Sequence, residues 1–297
     1  MNIKSNRKSA ERRFIAFSLT PILIIFAVFS VVPIVWGILL MFYNYSPLNA
    51  NSPFVGFANF KQMLHNEIFL ISFKNTFKFV LIAIPVNLVL TLAVALGIKG
   101  IRSRLWRNVF RTFFFLPCIA PLSGSALIWT AMLKQNEGLF NIVLERIGLD
   151  AVNWLNDPSM AMISIIMMTL WADIGYNIIL FGAGLDSIPD MFYEAAKLDG
   201  AGPWRSFASV TLPLLSRTSV FVVIMTSISY FQMFPQFQIM TNGGPMNQTS
   251  VLALDIFNNA FSYMNMGYAS AIAFVLLVMI LIVTLIQLRL GRVQWEY

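Results

Sequence analysis

Apolar residues gather into six long blocks, residues 14–43, 69–98, 108–133, 160–184, 214–240 and 266–290, separated by shorter polar segments. Within the blocks they neither alternate with polar residues, as in a half-buried strand, nor form one stripe, as in a helix lying on a soluble core. A helix crossing the hydrocarbon of a bilayer needs about 20 mostly apolar residues, because each advances the axis by about 1.5 Å. Every block meets that length, so the pattern predicts an all-α membrane protein with six transmembrane helices. Pro21, Pro33, Pro85, Pro117, Pro121 and Pro235 fall inside or near the ends of the blocks. They are expected to be tolerated there, with neighbouring helices satisfying the freed carbonyls.

Composition sharpens this picture. Of 297 residues, 58% are apolar and 11% charged, too few charges to cover a soluble surface, which averages about 25%. The net charge of +7 raises nucleic acid as a partner, but Lys and Arg cluster beside the hydrophobic blocks, where they set orientation instead. Lys4, Arg7, Lys8, Arg12 and Arg13 precede the first block; Lys99, Arg102, Arg104, Arg107 and Arg111 surround the second connection. Lys197, Arg205 and Arg217 lie in or after the fourth, and Arg289 and Arg292 follow the last block. Only Lys61, Lys74, Lys78, Lys134 and Arg146 fall on the opposite side. Both termini are therefore expected in the cytoplasm. Residues 1–13 are read as a cytoplasmic segment and residues 14–297 as one transmembrane domain. The first block is too long for a signal-peptide core of about 7–15 residues and is expected to stay as a membrane helix.

The connection of residues 186–213 has a helical pattern of its own, unlike the outer connectors 44–67, 135–159 and 241–265. Ser187 is placed to cap a short helix with Pro189 and Asp190 in its first turn, and Gly200 supplies a left-handed end. Gly202 and Pro203 restart the chain into a second short helix over residues 204–210, which Pro213 closes. The run Glu194-Ala195-Ala196-Lys197-Leu198-Asp199-Gly200, followed after nine residues by Val210-Thr211-Leu212-Pro213, resembles the EAA signature of the permease subunits of binding-protein-dependent ABC importers. The one departure is Val210 where the signature has isoleucine.

Further segments are similar to the carbohydrate-uptake subgroup, which includes the maltose and glycerol-phosphate permeases. They are Phe54-Val55-Gly56-Phe57-Ala58-Asn59-Phe60, Asn75-Thr76, Thr241-Asn242-Gly243-Gly244-Pro245 and Gly267-Tyr268-Ala269-Ser270-Ala271. The resemblance implies a type I importer (MetI-like) permease fold in the bacterial cytoplasmic membrane, with the chain as the first of two different permeases. It also implies a coupling helix that docks on a separate ATPase, with Glu194, Ala195, Ala196, Asp199, Gly200 and Pro213 as its coupling residues. The implied partners are a second permease subunit, two copies of a cytoplasmic ABC ATPase holding ATP and Mg, and an extracytoplasmic solute-binding protein, lipoprotein or periplasmic. The residues agree with a borrowed energy source: no phosphate-binding G-x-x-x-x-G-K-[ST] loop occurs, so no cofactor is expected in this chain.

Candidate solute contacts come from polar groups in apolar blocks. An ionisable group there is costly and invites a functional reading. Asp173 sits mid-block, with Tyr176 and Asn177 three and four residues on and so on the same helix face. The cluster is read either as a contact for sugar hydroxyls or as an interhelical hydrogen-bond anchor. Phe231, Gln232 and Gln236 mix aromatic and amide groups in the fifth block and are assigned to a lined cavity. Asp255, Asn258, Asn259 and Tyr263 suit an outer mouth or a solvated loop. Cys118 and His65 are single, so no metal set is expected, and no acid–base pair or nucleophile–His–Asp arrangement marks an enzyme. The reading is a permease for a polar, sugar-like solute; the alternative is an ion-coupled secondary transporter with Asp173 as its ion site.

Overall fold

The computed structural model describes residues 3–49 and 51–291, with side chains from Phe14 onward. Arg292 and the side chains of Lys4, Arg7, Lys8, Arg12 and Arg13, part of the predicted orientation signal, lie outside the described residues. The helices run in the order α1 (Ile3–Phe26), α2 (Val32–Leu40), α3 (Ala58–Leu64), α4 (Glu67–Lys99), α5 (Arg104–Ile119), α6 (Leu122–Met132), α7 (Leu139–Arg146) and α8 (Ala161–Asp186). There follow α9 (Asp190–Leu198), α10 (Pro203–Ser206), α11 (Leu212–Leu214), α12 (Ser216–Phe231), α13 (Pro235–Met240), α14 (Leu252–Phe257) and α15 (Met266–Leu290). Residues 14–40, α4, α8 and α15 are each long and apolar enough to cross a membrane. Counted as one span each, two bent pairs among the described residues bring the candidate crossings to six: α5 with α6, and residues 203–214 with α12.

The bends correct the expectation of continuous helices over residues 108–133 and 214–240, and proline explains them. Between α5 and α6 the axis turns by 94°. Pro121 crowds the residue before it out of the helical region, and Ala120 has φ −70° and ψ 138°. The fifth block ends its first helix at Phe231, and α13 restarts on Pro235. Pro33 acts more gently, whereas Pro213 lies just before the 67° bend into α12. Each follows by two residues a π-helical stretch, Ala27–Val31 and Phe207–Thr211. The wider turn takes up the missing N–H and the clash with the carbonyl four residues back. Pro21 and Pro85 are carried inside α1 and α4.

Two compact units divide the chain: residues up to Leu64 together with Ile256–Phe274, and His65–Asp255 together with residues from Val275 on. In the first, none of residues 14–40 is buried, as suits a helix whose solvent is lipid. The segment after it is tied down by Asn59, whose amide donates to the carbonyls of Met41 (2.8 Å) and Tyr43 (3.1 Å). Gly267 N–H donates to Tyr45 carbonyl oxygen at 3.0 Å. Two of the recognised motifs, residues 54–60 and 267–271, thus serve to hold this unit together.

The second unit is built on α4, α8 and α12. Asn66 caps α4 by accepting from the N–H groups of Ile68 and Phe69. Ala95, Ile98, Ile178, Phe181, Leu185, Leu215 and Val222 form a buried cluster between these helices. The backbones of α5 and α8 come so close that a side chain at Gly175 would meet the Phe114 carbonyl and lie 2.7 Å from Phe115 Cα. The other two motifs meet here: Asn75 donates to the Asn247 (2.8 Å) and Ser250 (2.9 Å) carbonyls, and Thr76 Oγ1 accepts from Leu252 N–H. Thr249, in the same loop, donates to the Gly244 carbonyl at 2.6 Å.

Candidate functional site

Two places carry the predicted site residues, and they are built in opposite ways. The first is the hairpin of α9 and α10. Pro189 occupies the cap position of α9, while Ser187, expected there, donates to the Gly184 carbonyl at 2.7 Å and closes α8 instead. At the other end Gly200 takes φ +73°. Its N–H bonds the Lys197 carbonyl (3.0 Å) and that of Ala201 bonds Ala196 (2.8 Å), the pairing of a glycine-terminated Schellman end. Only a residue without Cβ takes that conformation at no cost.

One face of α9 holds to the bundle. Tyr193 packs on the α4–α8–α12 cluster, its hydroxyl lies 3.1 Å from Thr211 Oγ1, and the Lys99 ammonium sits 5.0 Å from its ring centre. Lys99 also donates to the Leu185 carbonyl at 2.6 Å, so α4, α8 and α9 are tied at one point. The other face is open. Met191, Glu194, Ala195 and Leu198 follow the spacing of one helical stripe, and all are exposed, Met191 at 67% and Leu198 at 90%. Asp199, Gly200 and Pro213 are exposed too, and Ala196 is half-buried. The chain bends by 67° where this segment enters α12. The open face is thus an apolar stripe with one acidic residue, fixed from behind.

The second place lies midway along α8. Here the structure separates three residues that the sequence put on one face. Asn177 is buried and donates to Asn87 Oδ1 (2.7 Å) and Thr226 Oγ1 (3.0 Å). Asn87 in turn donates to the Tyr230 hydroxyl at 2.8 Å. This ladder joins α4, α8 and α12, so Asn177 is an interhelical anchor. Asp173 and Tyr176 turn instead to a cavity of about 280 Å³ where α5 breaks into α6, which Cys118, Leu122, Thr169 and Met233 also line. Asp173 interacts with the Tyr230 hydroxyl, which links the cavity wall to the ladder.

The residues assigned to the fifth block fall outside the lining. Phe231 is buried with its ring 6.0 Å from that of Phe77. Gln232 is exposed at the end of α12. Gln236 is fully buried behind the wall, its amide 3.3 Å from Thr169 Oγ1 and 2.9 Å from Met233 Sδ. Asp255, allowed as a loop residue, is buried on α14. Sequence reasoning missed Asn87, Thr169 and Cys118. An asparagine in the middle of the second apolar block was a legible signal for Asn87; the other two become visible only once the break at Pro121 is known. Among the described residues no cluster of His, Cys, Asp and Glu could hold a metal.

Comparison with known proteins agrees with this architecture. A model of binding-protein-dependent transport system inner membrane components matches residues 9–293. The chain is 33% identical to the sulfoquinovosyl glycerol transport system permease protein SmoG of Agrobacterium fabrum, over 96% of this chain and 92% of that protein. It is 30% identical to the trehalose/maltose transport system permease protein MalF of Thermococcus litoralis, over 98% of each. Its fold is similar to a chain in the crystal structure of a bacterial alginate ABC transporter in complex with alginate pentasaccharide-bound periplasmic protein. The TM-score is 0.85 at 23% identity over 96% of both chains. With a family match over nearly its whole length, the chain belongs to the inner-membrane components of binding-protein-dependent transport systems.

Proposed function

We propose that the chain is the membrane-spanning permease subunit of an ATP-driven importer for a sugar or a closely related polar solute. It pairs with a second permease, and two copies of an ABC ATPase dock from the cytoplasm, one of them on the open face of α9. A lipoprotein or periplasmic binding protein delivers the solute from outside. The single observation that carries the coupling role is the hairpin itself, open on its Met191–Leu198 stripe and fastened behind through Tyr193. An element of this kind passes a push from a docked partner into α4, α8 and α12. The basic residues on the hairpin's side of the sequence support a cytoplasmic location for that face.

The sugar class is supported by the names of relatives at 30–33% identity and by the chemistry of the cavity. A carboxyl, two hydroxyls and an aromatic ring converge there, the set that grips a polyhydroxylated ring. ATP binding closes the partner ATPases, α9 moves with them, and the cavity opens to one side or the other. In this mechanism the chain binds no nucleotide and its residues make or break no covalent bond.

The test is purification through a tag on this chain, followed by reconstitution of the recovered complex in vesicles with the binding protein. Co-purification of an ATPase and a second permease, and sugar uptake that requires ATP, are expected. Uptake by this chain alone, driven by an ion gradient, would overturn the proposal.

A further inference from the structure

The charge of the cavity beside the α5–α6 break is set by one carboxyl group. Among the described residues, Asp173 is the only charged one that lines it, and no Lys or Arg does. The basic side chains on the same helices are directed elsewhere. On α5, Arg111 pairs with Asp186 at 2.7 Å, Arg107 reaches the carbonyls of Lys99 and Ile101, and Arg104 is exposed at the far end of the helix from the cavity. One opposing contribution exists: α6 begins at Leu122, which lines the cavity, and a helix amino terminus carries about half a positive charge. That is smaller than one carboxylate, so with Asp173 ionised the sum is negative. Protonation of Asp173 would remove the repulsion of an anion but would still supply no cation to neutralise it.

Sites that hold carboxylate, sulfonate or phosphate supply Arg, Lys or several convergent N–H groups, because an anion taken out of water without a counter-charge is heavily penalised. This cavity offers the reverse, an acceptor for hydroxyl or ammonium hydrogens beside the Thr169 and Tyr176 hydroxyls. We propose that Asp173 makes the cavity a charge filter on the cargo, passing neutral polyhydroxylated or cationic amino sugars and rejecting carboxylated, sulfonated or phosphorylated ones. The inference rests on the reading of the cavity as part of the solute path; family membership leaves the charge of the cargo open.

The chain carries its own probe. Cys118 is its single cysteine and lines the same cavity as Asp173. In the purified complex, Cys118 would be exposed to a trimethylammonium (cationic) or a sulfonate (anionic) methanethiosulfonate reagent of similar size. Modification is followed by mass spectrometry on the peptide of this chain, with and without ATP, and each rate is divided by that reagent's rate with a free small thiol. We expect the cationic reagent to be favoured by about tenfold or more, the scale of one full charge at close range in a protein. Asp173→Asn should bring the ratio within about twofold of the free-thiol value, and Asp173→Glu should keep most of the preference. A wild-type ratio equal to the free-thiol value, or a faster anionic reagent, would overturn the charge filter while leaving the solute path intact. No modification by either reagent in either nucleotide state would overturn the path, and the filter with it. Should Asp173→Asn fail to assemble, the wild-type ratio and Asp173→Glu still decide.

Discussion

The hairpin of α9 and the middle of α8 lie in one unit, less than twenty residues apart along the chain, yet they treat their polar residues in contrary ways. In the hairpin the conspicuous residues, Glu194 on α9 and Asp199 and Gly200 just after it, are exposed. In α8 the polar residues are woven into the bundle, Asn177 through two hydrogen bonds and Asp173 through Tyr230. The difference teaches what a substitution would report. In the hairpin, function separates from stability, whereas in α8 the same side chains hold the helices and shape the cavity.

The comparison breaks most violently at Gly175, where α5 and α8 meet backbone to backbone. Gly175→Val puts atoms where the Phe114 carbonyl and Phe115 Cα already lie. We expect a loss of more than about 3 kcal/mol, seen as little or no monodisperse complex on size-exclusion chromatography. In the hairpin, Glu194→Ala should cut ATP-driven uptake by at least about tenfold, the effect of losing one buried charge-assisted contact at an interface. The melting temperature should stay within about 1 °C, because the side chain is exposed and unshared at home. Gly200→Val should act in the same direction while adding a strain of about 1–2 kcal/mol for its left-handed backbone.

Smaller effects sharpen the contrast. Asn177→Leu removes two bonds and strands Asn87, so about 1–2 kcal/mol of stability should go, with a shift in solute selectivity through Tyr230 and Asp173; thermal unfolding and uptake assays read the two together. Least of all, Arg111→Ala breaks a partly exposed ion pair with Asp186. It should cost about 0.2–1 kcal/mol, diminishing with added salt, as thermal unfolding at two ionic strengths would register.

What could be read from the sequence follows from which physics is local. The last crossing, residues 266–290, coincides with α15, because its apolar run contains no proline. The left-handed Gly200 and the helix of residues 190–198 were likewise legible, since caps and turns are decided within a few residues; the second helix starts at Pro203 but runs on through a π-helical stretch past Pro213, which was expected to close it. Breaks were not: Pro85 and Pro121 look alike in an apolar run, yet α4 absorbs the first and the α5–α6 pair bends by 94° at the second. Whether a proline is absorbed depends on neighbours that satisfy its freed carbonyl. The same limit explains the cavity. Spacing along α8 put Asp173, Tyr176 and Asn177 on one face, but which helix each one meets depends on the close α5–α8 approach that Gly175 permits. The assignments of Phe231, Gln232 and Gln236 assumed a straight fifth helix, and the restart at Pro235 turned them away from the cavity. The recognised motif residues Asn59, Asn75 and Thr76 prove to be staples within their units, and Gly244 of a fourth motif is held by Thr249.

The central claim is that the exposed stripe of α9 is where an ATP-hydrolysing partner pushes on the bundle. Its most direct test is site-specific photo-crosslinking from position 195, on the open face beside Glu194, in a complex that takes up solute in vesicles. A single crosslinked product containing the ATPase is expected, with a yield that changes when ATP is added. Full ATP-driven uptake with no ATPase crosslink from position 195, and none from the neighbouring stripe positions 191 and 198, would contradict it.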